Sequence, residues 1–237
     1  MRPSKRNPDQ IREVTITTNV NKYAEGSCLI KCGETHVLCT ATAEDRVPQF
    51  LKGKNQGWIS AEYSMLPRAT QTRNNRDNGS KPNGRALEIQ RLIGRSLRSV
   101  IDMKLLGERQ ITIDCDVLQA DGGTRCASIT GGFVALSLAI QNITKRGLIR
   151  YNPLIGSVSA VSCGVYNGEV IADLDYAEDS KCDVDTNFVI NQNFHLIEIQ
   201  GTAESGAMSF EQVTRMYEMA RNAAKEISEI QKKAIGN

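Results

Sequence analysis

Three stretches of this 237-residue chain place polar groups close enough together to do chemistry. The first, Gln119-Ala120-Asp121-Gly122-Gly123-Thr124-Arg125, ends an alternating pattern and opens a helical one. Its backbone N–H groups, a hydroxyl and a guanidinium would stand beside the positive end of a helix dipole, which is how a free phosphate is held. Ser128, about one turn further on, would add a second hydroxyl. An ordinary strand-to-helix bend with Arg125 in solvent fits the same spacing. The second stretch sets Asp173, Asp175, Glu178, Asp179, Asp183 and Asp185 against Lys181 alone. Carboxylates so crowded repel one another, and a bound Mg²⁺ would relieve that repulsion through oxygen ligation. One of them, its pKa raised by a neighbour, would protonate a leaving oxygen. A solvated acidic loop is the plainer alternative. The third stretch, residues 68–98, sets Arg68, Arg73, Arg76, Lys81, Arg85, Arg91, Arg95 and Arg98 against Asp77 and Glu88. Basic side chains in this number can follow an RNA backbone, each neutralising a phosphate; they equally suit a solvated face or a contact between subunits.

The remaining sequence narrows the chemistry. G-x-G-x-x-G opening a helix, G-x-x-x-x-G-K-[ST] and G-x-S-x-G are all missing, so nucleotide-loop and hydrolase-elbow mechanisms lack their defining residues. The only histidines, His36 and His195, fall in strand patterns and are expected to be cross-strand side chains. Seven cysteines without a C-x-x-C pair read as reduced small hydrophobes, not as a zinc site.

The elements that must position these residues follow from periodicity. Ile11 to Ile16 is β-branched, and Cys28–Cys32 and His36–Thr42 flank Gly33-Glu34 as a hairpin. From Pro67 to Gly84 the apolar pattern stops in a long polar loop. Ile89, Leu92, Ile93, Leu97, Val100 and Ile101 then repeat at helical spacing, with Arg91, Arg95 and Arg98 on another face. Ile111, Ile113, Cys115 and Val117 alternate with polar residues as a half-buried strand. Ile129 to Ile143 forms a second helix stopped near Gly147, and Asn167-Gly168 is the strongest hairpin signal in the chain. A further reversal is expected at Asn191-Gln192-Asn193, before a final amphipathic helix opened by the capping box Ser209-Phe210-Glu211-Gln212.

With 40% hydrophobic and 24% charged residues and no Pro/Ser-rich linker, the expectation is a single α+β domain over residues 1–237, with mixed sheets and packed helices. The net charge is +2. No apolar run approaches the roughly 20 residues that span a bilayer and the N-terminus lacks a secretory layout, so no membrane partner is expected and a cytoplasmic location is.

Longer runs carry a resemblance. Arg2-Pro3 with Asp9-Gln10-Ile11-Arg12, Lys22 to Ser27, Gly57 to Tyr63 followed by Met65 to Thr70, Glu88 to Arg98, Gln119 to Arg125, Glu178-Asp179-Ser180 with Asp185, and Gln200 to Glu204 together resemble the bacterial ribonuclease PH family, phosphate-dependent exoribonucleases that trim tRNA precursors. The resemblance runs through nearly the whole chain and implies the ribonuclease PH fold. It implies that Arg85, Gly123, Thr124 and Arg125 bind inorganic phosphate as co-substrate. Asp179 and Asp185 would bind Mg²⁺, with Mn²⁺ as the alternative, or act in proton transfer. Arg68, Arg73 and Arg76 would contact RNA or neighbouring subunits, and the assembly would be a homohexameric ring, a trimer of dimers. Three places depart from the family pattern: Cys126 stands where threonine is expected, Gly132-Phe133 where a smaller residue is usual, and Asn75 to Asn83 is a polar variant of a variable loop. Oxidation of Cys126, next to Arg125, would impair phosphate binding.

The reaction so implied is phosphorolysis: a phosphate oxygen attacks the 3′-terminal phosphodiester, releasing a nucleoside 5′-diphosphate and a shortened RNA, reversibly, with no covalent nucleophile from the protein. Two rivals differ in testable ways. A catalytically dead ring subunit that only binds RNA would be expected to have lost Arg125 or the aspartates, which this chain keeps. A metal-dependent hydrolytic nuclease would leave Thr124-Arg125 without a purpose.

Overall fold

A computed structural model describes residues 2–76 and 83–236, so Asp77, Lys81 and most of the Asn75–Asn83 variant loop lie outside the described residues. Alternating burial marks the first sheet. Strands β1 (Val14–Thr18), β2 (Gly26–Cys32), β3 (Thr35–Glu44), β4 (Trp58–Met65) and β5 (Gln110–Gln119) assemble in the order β1-β2-β3-β5-β4. Only β4 and β5 run parallel, as the crossover through α1 (Gly84–Arg98) and the short α2 (Met103–Leu106) requires. The expected hairpin around Gly33 is β2–β3, and Ile111, Ile113, Cys115 and Val117 all point into the core. Ile11, by contrast, precedes β1 and packs into the second core.

Helix α3 (Thr124–Lys145) follows β5, with Gly147 just past its end at φ +72. It is long and apolar enough to cross a membrane by length and composition, which the sequence reading did not anticipate, yet 83% of its most apolar window is buried. The reason is position. Its flanks pack on β2, β3 and β5 on one side and on β6 (Val158–Tyr166) on the other. The second sheet, β7-β6-β8-β9, adds β7 (Glu169–Ala172), β8 (Val184–Asn191) and β9 (Leu196–Ala203). Strands β6 and β8 are buried on both faces. Val158, Ala160 and Val189 join the core around α3, while Val161, Cys163, Phe188 and Ile190 join a second core under α5 (Phe210–Ile235). Between β7 and β8 lies the one-turn α4 (Tyr176–Asp179).

The turn chemistry follows the sequence. Asn167 and Gly168 both take positive φ, and Ser209 and Gln212 complete the capping box of α5. His36 lies on β3 as expected, but His195 sits in the turn before β9, its carbonyl accepting from the Asn191 N–H. The basic face expected on α1 is divided. Arg91 is exposed, Arg95 pairs with Glu198 at 2.5 Å, and Arg98 lies 4.4 Å over the ring of Trp58 while donating to the Ile59 carbonyl. Phe50 also packs edge-on to Trp58, with ring centroids 5.4 Å apart. All seven cysteines are free.

Candidate active site

The turn between β5 and α3 is pinned before it reaches solvent. Thr35 Oγ1 accepts from the Asp121 N–H at 2.9 Å and donates to the Gly122 carbonyl at 2.7 Å, while the Ala120 N–H donates to the Ala69 carbonyl. Gly122 and Gly123 then take φ of +74 and +64, a conformation that side chains resist. At Gly122 space forbids a side chain as well, because a Cβ would lie 2.6 Å from the Leu174 carbonyl oxygen. No side chain caps the first turn of α3, so its leading N–H groups remain donors beside the positive end of the dipole.

The hydroxyls nearby are mostly committed. Thr124, at the first position of α3, shares a 2.8 Å hydrogen bond with the Tyr63 hydroxyl, and Tyr63 is buried enough to hold its phenol above the ordinary value. Ser128 is fully buried and donates back to the Thr124 carbonyl at 2.8 Å, so the second hydroxyl expected for the phosphate is spent inside the helix. Arg125 reaches outward instead, donating to Gln200 Oε1 at 3.3 Å and standing 3.6 Å from Glu88. Arg85 leaves the first turn of α1, which Asn83 caps by accepting from the Arg85 N–H.

Two adjoining clefts collect these groups. One, of about 440 Å³, is lined by Thr70, Asn74, Gly123, Thr124, Ser162 and Tyr176 among others; its neighbour is lined by Glu88, Ser180, Gln200, Thr202 and Glu204. Arg85, Arg125, Asp179, Asp185 and Asn187 line both. The expected phosphate residues and the expected aspartates therefore converge. Arg68, Arg73 and Arg76 do not: they are exposed on the segment leaving β4 and line neither cleft.

The acidic stretch is not the unpaired cluster its composition suggests. Asp173 is held by Arg12 through Nε at 2.9 Å and Nη2 at 2.7 Å. Glu178, fully buried, is gripped by Arg2 at 2.8 and 2.7 Å, and Arg6 lies within 3.4 Å of Asp175 and 3.2 Å of Glu178. Burial would raise the carboxyls of Asp173 and Glu178, but their arginines hold both below the ordinary range. Asp175 and Glu178 also cap α4 reciprocally. Asp183 is exposed, accepts from Ser205 Oγ at 3.1 Å and lines neither cleft, so the acids of this stretch that face the clefts are Asp179, at the end of α4, and Asp185, on β8 opposite Gly164. Burial raises Asp179. It pushes Asp185 up to about 6, with the Asp179 charge adding to the effect and Arg125 and Arg85 opposing it. Two half-buried carboxylates whose ionisation is costly suit a divalent cation. Among the described residues no group of three or more His, Cys, Asp or Glu is arranged to hold a metal.

Cys126 lies directly behind Arg125, its Sγ donating to Asn187 Oδ1 at 3.2 Å. Burial pushes the thiol well above its ordinary value, which disfavours the reactive thiolate. Tyr63, Asn187, Tyr176 and the three N-terminal arginines complete the site without any local signal in the sequence.

Known proteins resemble the chain from end to end. The profile described as "3′ exoribonuclease family, domain 1" matches residues 10–140, and that described as "3′ exoribonuclease family, domain 2" matches residues 156–223. A protein named Ribonuclease PH from Methylocella silvestris is 56% identical over 236 residues, covering 99% of this chain and 100% of that one. One of the same name from Cereibacter sphaeroides is 54% identical over the full length of both. The fold is shared with rice Rrp46, at a TM-score of 0.79 and 21% identity over 99% of this chain and 100% of that one. It is shared also with a chain of the Archaeoglobus fulgidus exosome with RNA bound to the active site, at 0.80 and 20% over 96% and 91%. With both domain profiles matched in order and relatives more than half identical from end to end, the chain belongs to the 3′ exoribonuclease family.

Proposed function

We infer that this protein is a phosphorolytic 3′-to-5′ exoribonuclease that trims the 3′ ends of tRNA precursors and other structured RNAs, including rRNA, releasing nucleoside diphosphates. The observation that carries the reading is the convergence of an uncapped helix N-terminus, two arginines and a pair of carboxylates raised by burial on one pair of clefts. A nuclease using water needs the carboxylates alone; a nuclease using phosphate needs a seat for an anion beside them. Gly123, Thr124, Arg125 and Arg85 would hold that anion and present it in line with the 3′-terminal phosphodiester, supplying rate by positioning and charge stabilisation. Asp179 or Asp185, whichever is not holding the cation, would deliver a proton to the departing 3′ oxygen; burial raises both carboxyls in the absence of a metal. The other carboxylate would hold Mg²⁺, or Mn²⁺ in its place, and the cation supplies charge neutralisation for the transferring phosphoryl group. Because the diphosphate bond formed resembles in energy the bond broken, the reaction also runs backwards and adds nucleotides to RNA ends.

Arg68, Arg73 and Arg76 would contact the RNA body or a neighbouring subunit. The proposed assembly is a homohexameric ring, a trimer of dimers, working in the cytoplasm; the edge strand β9, with Leu196 and Ile199 exposed near the clefts, supports self-association. The deciding assay incubates the protein with a tRNA carrying a short 3′ extension, with and without phosphate, and identifies the released nucleotide. Diphosphates that appear only with phosphate are expected. Monophosphates released regardless of phosphate would establish the hydrolytic reaction, and RNA retained on a filter without any release would establish a binding subunit.

A further inference from the structure

We infer that Arg12 is a positioning residue for phosphorolysis, tying the phosphate turn to the segment that carries Asp179; the inference rests on the function proposed above. Arg12 lies outside both clefts and 107 or more residues from either loop it joins, yet its guanidinium is almost wholly spent between them. Nη1 donates to the Asp121 carbonyl, the residue before Gly122-Gly123. Nε and Nη2 donate in parallel to the two carboxylate oxygens of Asp173, whose Oδ2 also accepts from the Arg12 backbone N–H at 2.7 Å. The turn rests directly on the acidic segment at the same place. Gly122 approaches the Leu174 carbonyl and the Asp175 and Tyr176 backbone too closely to admit a Cβ, and the Tyr176 N–H donates to Asp121 Oδ1 at 3.3 Å. Three residues further on stands Asp179.

The geometry requires a guanidinium. The flat fork serves both Asp173 oxygens and a carbonyl at once, and it passes behind Gly123, where even a Cβ would lie 3.1 Å from Nη2. An ammonium could neutralise Asp173 but could not hold the Asp121 carbonyl in the same pose. A purely structural ion pair would be indifferent to that distinction. Because Arg12 fixes the backbone turn that opens onto Gly123, Thr124 and Arg125, slack between these loops should be read out in how tightly phosphate is held.

Two variants separate the roles. Arg12→Lys keeps the charge opposite Asp173; Arg12→Gln with Asp173→Asn removes both charges and leaves no unpaired ion buried. Each is folded by circular dichroism before its kinetics are measured with phosphate as the varied substrate and a 3′-extended tRNA at saturation. The expected result is a KM for phosphate raised about tenfold in both, equivalent to ~1.4 kcal/mol of lost binding, with RNA affinity within about twofold of the parent chain. A reduced kcat with unchanged KM for phosphate is what a smaller folded fraction produces, and it would overturn the inference. So would an Arg12→Lys enzyme indistinguishable from the parent, or failure of both variants to fold, since either assigns Arg12 to the scaffold alone. Failure of the underlying function shows elsewhere: the unmodified chain would then release nucleotides without needing phosphate.

Discussion

Asp185 carries opposing demands, because the burial that lets it keep a proton also makes its charge costly to the fold. Its carboxyl is raised from 3.8 to about 6, so the folded state binds the proton more tightly than the unfolded state does. The sign follows directly: the stabilising contribution is complete below pH 4 and is lost as pH rises through 6. Asp185→Asn should therefore be more stable than the parent chain at pH 7.5 in chelator, by about 1–2 kcal/mol once residual solvent screening is allowed for, while losing phosphorolysis. For a chain of this size that is a gain of roughly 2–8 °C in melting temperature. Melting curves between pH 4 and 8 check the claim, since the two proteins must converge toward pH 4. A constant offset across that range would place the effect in packing. Added Mg²⁺ should stabilise the parent chain and leave the variant unmoved if the two carboxylates hold the cation.

At the scale of elements, the turn before α3 and the one-turn α4 behave as one object, because Gly122 is packed against the backbone of Leu174 to Tyr176. Gly122→Ala adds a left-handed strain of about 1–2 kcal/mol and drives a methyl into a carbonyl oxygen, so both stability and activity should fall. Gly168→Ala makes the control. Its φ of +77 carries the same strain, but open space surrounds it at the hairpin tip, so only stability should change. Equal activity losses in the two would dissolve the link between turn and α4. The contrast also marks how far the sequence could be read. Local signals sufficed for the β2–β3 hairpin, the alternation of β5, the Asn167-Gly168 turn and the capping box of α5, since each is decided by residues a few positions apart. The glycine turn that opens α3 is legible for the same reason. The acidic stretch was misjudged because its counter-charges, Arg2, Arg6 and Arg12, lie 161 to 176 residues away from the carboxylates they meet. Ser128 was misjudged because its i−4 carbonyl competes for the hydroxyl, a local event that spacing alone does not decide. Tyr63 enters only because the parallel strand β4 ends beside α3.

Over the whole molecule, two sets of arginines stand apart. The clefts contain Arg85 and Arg125, whereas Arg68, Arg73 and Arg76 stand exposed outside them. If those three contact the RNA backbone, replacing all of them with alanine should flatten the plot of log affinity against log salt by about 2, from ~0.7 per phosphate contact on a single strand. The KM for phosphate should stay where it was. An unchanged slope with altered sedimentation would give the three arginines to subunit contacts instead. The division has a second level, in the two cores on either face of the β6–β8 sheet. Trp58 is the only tryptophan, and it belongs to the first sheet, in contact with Phe50 and the Arg98 guanidinium. Its emission therefore listens to one half of the protein. Should the core beneath α5 loosen first on heating, fluorescence would stay silent while helical ellipticity fell, and the gap between the two curves would time the separation of the halves.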